Sequence, residues 1–137
     1  MEQKDYLLRE IEKIGRIMKA IRQKLFGGKE NLAITLEQVT ADLKEMLLND
    51  ANLDLDKLLA LDAADTDAYL NTLQGFNVEN IELLAETLSG TGLKYDSTVF
   101  LEKALQLFEI CSLRDSTYSF KRETNISMVK DALHNNA

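Results

Sequence analysis

Cys111 is the only cysteine and His134 the only histidine of this sequence, and they are its only soft catalytic candidates. A thiolate nucleophile needs a base held beside it and a third group to orient that base. Cys111 instead falls on the apolar row of a helical pattern, where a free cysteine behaves as a small hydrophobe. His134 falls in the last turn of another, where a cation suits the helix dipole. One Cys with one His cannot build a four-ligand zinc site, and one Cys cannot form an intramolecular disulfide. Glu79, Glu82 and Glu86 are spaced to place paired carboxylates on one side of a helix, but steps of 3 and 4 equally describe a solvated face. Asp50, Asn52, Asp54 and Asp56 occupy positions 1, 3, 5 and 7 of a calcium-loop template. Position 6 is Leu55 rather than Gly and position 12 is Leu61 rather than Glu, so the cage lacks its turn and its bidentate ligand. These aspartates read instead as breakers and caps of short helices. Gly27-Gly28-Lys29 lacks the GxxxxGK[ST] frame of a phosphate loop. The sequence therefore assigns no catalytic residue, no cofactor and no metal.

Its charge distribution is more telling. Lys13, Arg16, Lys19, Arg22, Lys24 and Lys29 follow one another without an acid, in a chain of net charge -7. Residues 37–67 hold nine acids against Lys44 and Lys57. Arg9, Lys13, Arg16 and Lys19 lie on a helical wheel opposite an apolar row, so they are either a solvated face or the surface that meets an acidic partner, another protein or another copy. A basic stripe is also the footprint of nucleic-acid binding. The overall negative charge and the lack of interleaved aromatics argue against that partner. The absence of Trp, and an apolar face needed for the core, argue against a membrane surface.

The apolar row is Leu7, Ile11, Ile14, Met18, Ile21 and Leu25, with steps of 4, 3, 4, 3 and 4. That spacing predicts a long first helix over about 5–26, roughly 33 Å at about 1.5 Å per residue, closed by Gly27-Gly28. Tyr6, Leu8 and Ile17 widen the sector, which favours burial within one chain over a narrow dimer seam while leaving a dimer through this helix open. Gly15 inside the pattern is either a point of close approach or simply tolerated. The absence of proline favours a mostly helical chain. A capping box at Thr35 and Gln38 predicts a second helix carrying Leu36, Val39, Leu43, Met46 and Leu47 inward, broken at residues 49–52. Short helices over about 55–61 and 68–73 follow, with a polar joint at 62–67. Asn77 caps the next helix, with Ile81, Leu84, Ala85 and Leu88 inward, and Ser89-Gly90-Thr91-Gly92 reads as the clearest loop. A helix over about 97–113, with Leu101, Ala104, Leu105, Phe108 and Cys111 as its seam, pairs with a last one capped by Ser119 that buries Phe120, Met128, Val129 and Leu133. No run alternates with period two, so no sheet is expected.

The expected fold is all-α. It has five to seven helices in antiparallel hairpins, tetratricopeptide-like at the C-terminal end, in one domain: a basic helix over 1–28 and an acidic hairpin body over 35–137. No 34-residue period recurs, so a repeat-like hairpin rather than a repeat array is expected. The longest unbroken apolar run, 58–61, is far short of a membrane span, and the charged first residues leave no room for a secretion signal, so a cytoplasmic protein is expected.

Two segments carry a likeness. Lys4-Asp5-Tyr6-Leu7-Leu8-Arg9-Glu10-Ile11-Glu12 with Leu25-Phe26-Gly27, and Phe100-Leu101-Glu102-Lys103-Ala104-Leu105-Gln106-Leu107-Phe108 with Ser119-Phe120-Lys121-Arg122-Glu123, cover about a third of the chain. Together they resemble a family of small bacterial helical proteins with tetratricopeptide-like helix pairs. The resemblance implies an all-helical fold and no activity. The function expected is a non-catalytic interaction or adaptor module. The alternatives are a ligand binder or small enzyme with a pocket between helices, bordered by Tyr69, Tyr95 or Tyr118, and a structural homodimer through the first helix.

Overall fold

The computed structural model describes residues 2–26 and 35–135. Seven helices and no strand occur among them: α1 Glu2–Phe26, α2 Leu36–Ala51, α3 Leu55–Ala60, α4 Ala63–Asn71, α5 Val78–Tyr95, α6 Thr98–Arg114 and α7 Phe120–Asn135. The chain is all-α with a long N-terminal helix. It divides into two compact units, residues 1–80 and 81–137. The closing turn expected at Gly27-Gly28 lies outside the described residues, as does Lys29.

In the first unit, α1 buries Ile14, Met18, Ile21 and Leu25 and packs on α2, which in turn packs on α3. The predicted row is thus covered within the chain over its last four positions. Its first position is a correction: Leu7 is 53% exposed, and Ile11 is half-buried. Caps account for the element boundaries. The Thr35 hydroxyl accepts from the Gln38 N–H at 3.2 Å. Asn52 ends α2 in the left-handed conformation (φ 55°), and the Leu53 N–H reaches back to the Leu47 carbonyl at 3.0 Å. Asp54 caps α3 and Asp62 caps α4, each accepting from the N–H three residues on. The Asp62 cap corrects the expected polar joint at 62–67, because α4 starts there rather than at Ala68.

Asn80 closes this unit with three hydrogen bonds. Its N–H donates to the Asn77 side chain at 3.0 Å, and its amide Nδ2 donates to the carbonyls of Ile11 (2.8 Å) and Gly75 (2.7 Å). The carbonyl of residue 11 lies beneath the side chain of residue 15 on a helix. Gly15 leaves it open, and a Cβ there would stand 3.2 Å from the Asn80 Oδ1. Gly15 is therefore a point of close approach.

In the second unit, Ser97 caps α6 and Ser119 caps α7. The two helices pack on each other, and a connection as short as 115–119 requires them to run antiparallel. Two expectations fail here. Ser89-Gly90-Thr91-Gly92 is no loop but the interior of α5. Packing overrides propensity: Ser89, Thr91 and Gly92 are buried, and a Cβ on Gly92 would lie 2.7 Å from the Leu101 Cγ of α6. The Thr87 and Thr91 hydroxyls donate to the carbonyls of Leu83 and Thr87, so neither is unsatisfied. Gly92 is where α6 comes close, through Leu101. On α7, Phe120 is 76% and Met128 49% exposed. The buried positions are Arg122, Ile126 and Val129, again in steps of 4 and 3, with Leu133 half-buried. The helix is rotated relative to expectation because a cation occupies a seam position.

Candidate functional site

The burial of Ile14, Met18, Ile21 and Leu25 turns the opposite flank of α1 to solvent. Arg9, Lys13, Arg16 and Lys19 are all exposed there, and none makes an ion pair among the described residues. Asp5 and Glu12 are exposed on the same flank, so positive charge is undiluted only from Lys13 onward. Further along α1, Lys19, Arg22, Gln23 and Phe26 line a shallow depression of about 260 Å³.

The acidic candidates have structural employment. Asp54 caps α3, and its own N–H donates to the Tyr69 hydroxyl at 2.9 Å. Asp56 pairs with Lys44, and that hydrogen bond raises the ammonium pKa. Among the described residues no group of three or more His, Cys, Asp or Glu is placed to hold a metal ion. Glu82 and Glu86 do share one side of α5, but each holds a cation of α7. Glu82 accepts from the Arg122 Nε at 3.1 Å and from its Nη2 at 2.9 Å, while Glu86 pairs with Lys121 at 3.0 Å. Asp115 adds a third carboxylate at 3.5 Å from the same Nη2. Arg122 is 3% exposed, and its hydrogen bonds to Glu82 raise an already high pKa. Carboxylates engaged by cations in this way make a clamp between helices, not a general acid–base pair.

Cys111 is buried on α6. Desolvation first, then the Glu82 charge, pushes its thiol up to about 12, the wrong direction for a nucleophile. His134 is exposed in the last turn of α7. Tyr69 is tied to Asp54 with Lys57 over its ring at 4.8 Å, and Lys94 lies 5.3 Å from the Tyr95 ring. Tyr118 is exposed beside a shallow cleft of about 230 Å³. The buried Arg122 is the group that sequence reasoning missed. Its one legible trace is the spacing Arg122, Ile126, Val129.

Compared with protein-family models, with characterised proteins and with solved structures, the chain finds no match in any of the three.

Proposed function

We propose that this chain is a non-catalytic protein-interaction module whose contact surface is the basic flank of α1. The observation that carries this reading is that Arg9, Lys13, Arg16 and Lys19 are exposed and without an ion-pair partner among the described residues. A partner presenting carboxylates at helical spacing satisfies them. An exposed pair is worth about 0–1 kcal/mol, so this face sets orientation and encounter rate as well as affinity. No described helix is long and apolar enough to cross a membrane. The same proposal takes the α6–α7 hairpin as tetratricopeptide-like and the chain as bacterial and cytoplasmic. Those assignments rest on sequence alone.

The test is a triple charge reversal, Lys13→Glu, Arg16→Glu and Lys19→Glu, in the full chain. Partner capture from lysate should fall by about tenfold or more, and capture by the unmodified chain should weaken steeply with added salt. Capture that is unchanged by both the substitutions and salt refutes the assignment.

A further inference from the structure

Among the described residues, the three most exposed large hydrophobic side chains are Leu113 (88%), Phe120 (76%) and Tyr118 (73%). All fall within eight residues, where α6 hands over to α7. The next most exposed, Val99, is at 55%. Isolated surface hydrophobes need no explanation, but three at one corner do.

The corner is built rather than loose. The Asp115 side chain accepts from the Thr117 N–H at 3.0 Å, and Ser119 caps α7 through the Arg122 N–H at 3.2 Å. Arg122 in turn is fixed by both Glu82 oxygens. Aromatic side chains on a pinned corner lose little freedom on binding, the property of an anchor residue.

Two features indicate what covers it. The first is charge. The exposed charges of residues 109–123 are Glu109 and Glu123 against Arg114 and Lys121, a balance of zero in a chain of net charge -7, while Asp115 pairs with the buried Arg122. A surface carrying both signs around an apolar centre complements itself, as a two-fold interface must. The second is area. A large aromatic side chain presents about 150–250 Å² and a leucine somewhat less, so at these exposures Leu113, Tyr118 and Phe120 leave roughly 400–500 Å² in water. Doubled across a two-fold axis, this reaches roughly 800–1,000 Å² before any rim is counted, close to the lower bound of about 1,200 Å² for specific interfaces.

We propose that the α6–α7 corner, anchored by Leu113, Tyr118 and Phe120, is the interface through which two copies of this chain form a two-fold dimer. The corner shares no residue with the basic flank of α1, and the triple charge reversal there is expected to leave the dimer intact.

Sedimentation velocity of the full chain up to about 500 µM tests the proposal, with micromolar dissociation expected for so small an interface. The chain should shift with concentration from 15.5 kDa toward twice that mass. Phe120→Glu should weaken dimerisation by at least about thirtyfold with an unchanged far-ultraviolet spectrum. Val99→Glu, on an exposed residue of α6 outside the corner, should leave it unchanged. Should Phe120→Glu disturb folding, Leu113→Ser combined with Tyr118→Ser is read in the same way. A chain that stays monomeric throughout, a dimer that survives the corner substitutions, or one equally broken by Val99→Glu overturns the proposal.

Discussion

Removing the Arg122 clamp should be among the most damaging single changes available to this chain. The guanidinium is almost wholly buried, donates two charge-assisted hydrogen bonds to Glu82, and stands 3.5 Å from Asp115. Removing one partner of a buried ion pair leaves the other desolvated without compensation, at a cost of about 3–5 kcal/mol. Replacing both with apolar groups of similar volume removes that penalty. Glu82→Gln should therefore cost about 2–4 kcal/mol, because Asp115 still faces the cation, and Arg122→Met about 3 kcal/mol. The double variant Glu82→Leu/Arg122→Met should recover at least about 2 kcal/mol relative to the sum of the singles. At about 2.1 cal/mol/K per residue, a chain of this length loses roughly 3–4 °C of Tm per kcal/mol. The Arg122→Met variant should then melt roughly 10 °C lower. Urea unfolding followed by circular dichroism, with the slope checked for constancy, gives the free energies directly. A melting temperature within about 2 °C of the parent for Arg122→Met, or strictly additive effects in the cycle, would refute the clamp.

Gly92→Ala should destabilise by about 1–3 kcal/mol even though alanine is the better helix former, because the new methyl meets Leu101 at 2.7 Å; a stabilised variant in the same urea assay would contradict the close approach. Cys111 should react slowly with a thiol reagent at pH 8 in the native state and promptly in denaturant; equal rates would mean the thiol is neither buried nor raised. Its folded pKa of about 12 lies above the ordinary 9.0, so the stability linked to the protonated thiol is complete below pH 9.0 and is lost as the pH rises toward about 12. Asp115 behaves oppositely. The Thr117 N–H, helped by Arg122, holds its carboxyl below the usual 3.8, so its contribution is present above that value and disappears as the pH falls through the folded one. The stability gap between the parent chain and Asp115→Asn should accordingly shrink below pH 4; a gap independent of pH would mean that Asp115 is not part of the clamp.

Most of the helices could be read from apolar spacing and cap chemistry, since both are local. Thr35, Asn77, Ser97 and Ser119 each accept from the N–H three residues on, and each side chain announces a helix start by its type alone. The row from Ile14 to Leu25 was legible for the same reason: about three turns of regular spacing leave one face that must be covered. Legibility ended where the contact is made by something other than apolar bulk. Ser89 to Gly92 has a loop's composition, yet small side chains are also what lets a neighbouring helix come close. Only the presence of Leu101 at that distance decides between the two meanings. No window of local sequence contains that information.

Arg122 marks the same boundary from the other side. Read by hydrophobicity, α7 turns Phe120 and Met128 inward; read by charge pairing, it turns Arg122 inward, and the second reading holds because Glu82 and Asp115 wait there. Seating one cation on the seam rotates the helix and carries Phe120 out to the surface. The exposed aromatic corner and the buried clamp are thus two consequences of a single choice of helix face. A variant that frees α7 from Glu82 should therefore do more than lower stability. Glu82→Gln, if it still folds, should also weaken self-association through Phe120, although residue 82 is not part of the corner. A Glu82→Gln chain that is destabilised yet dimerises like the parent would show that the orientation of α7 is set by its apolar contacts with α6 and not by the ion pair.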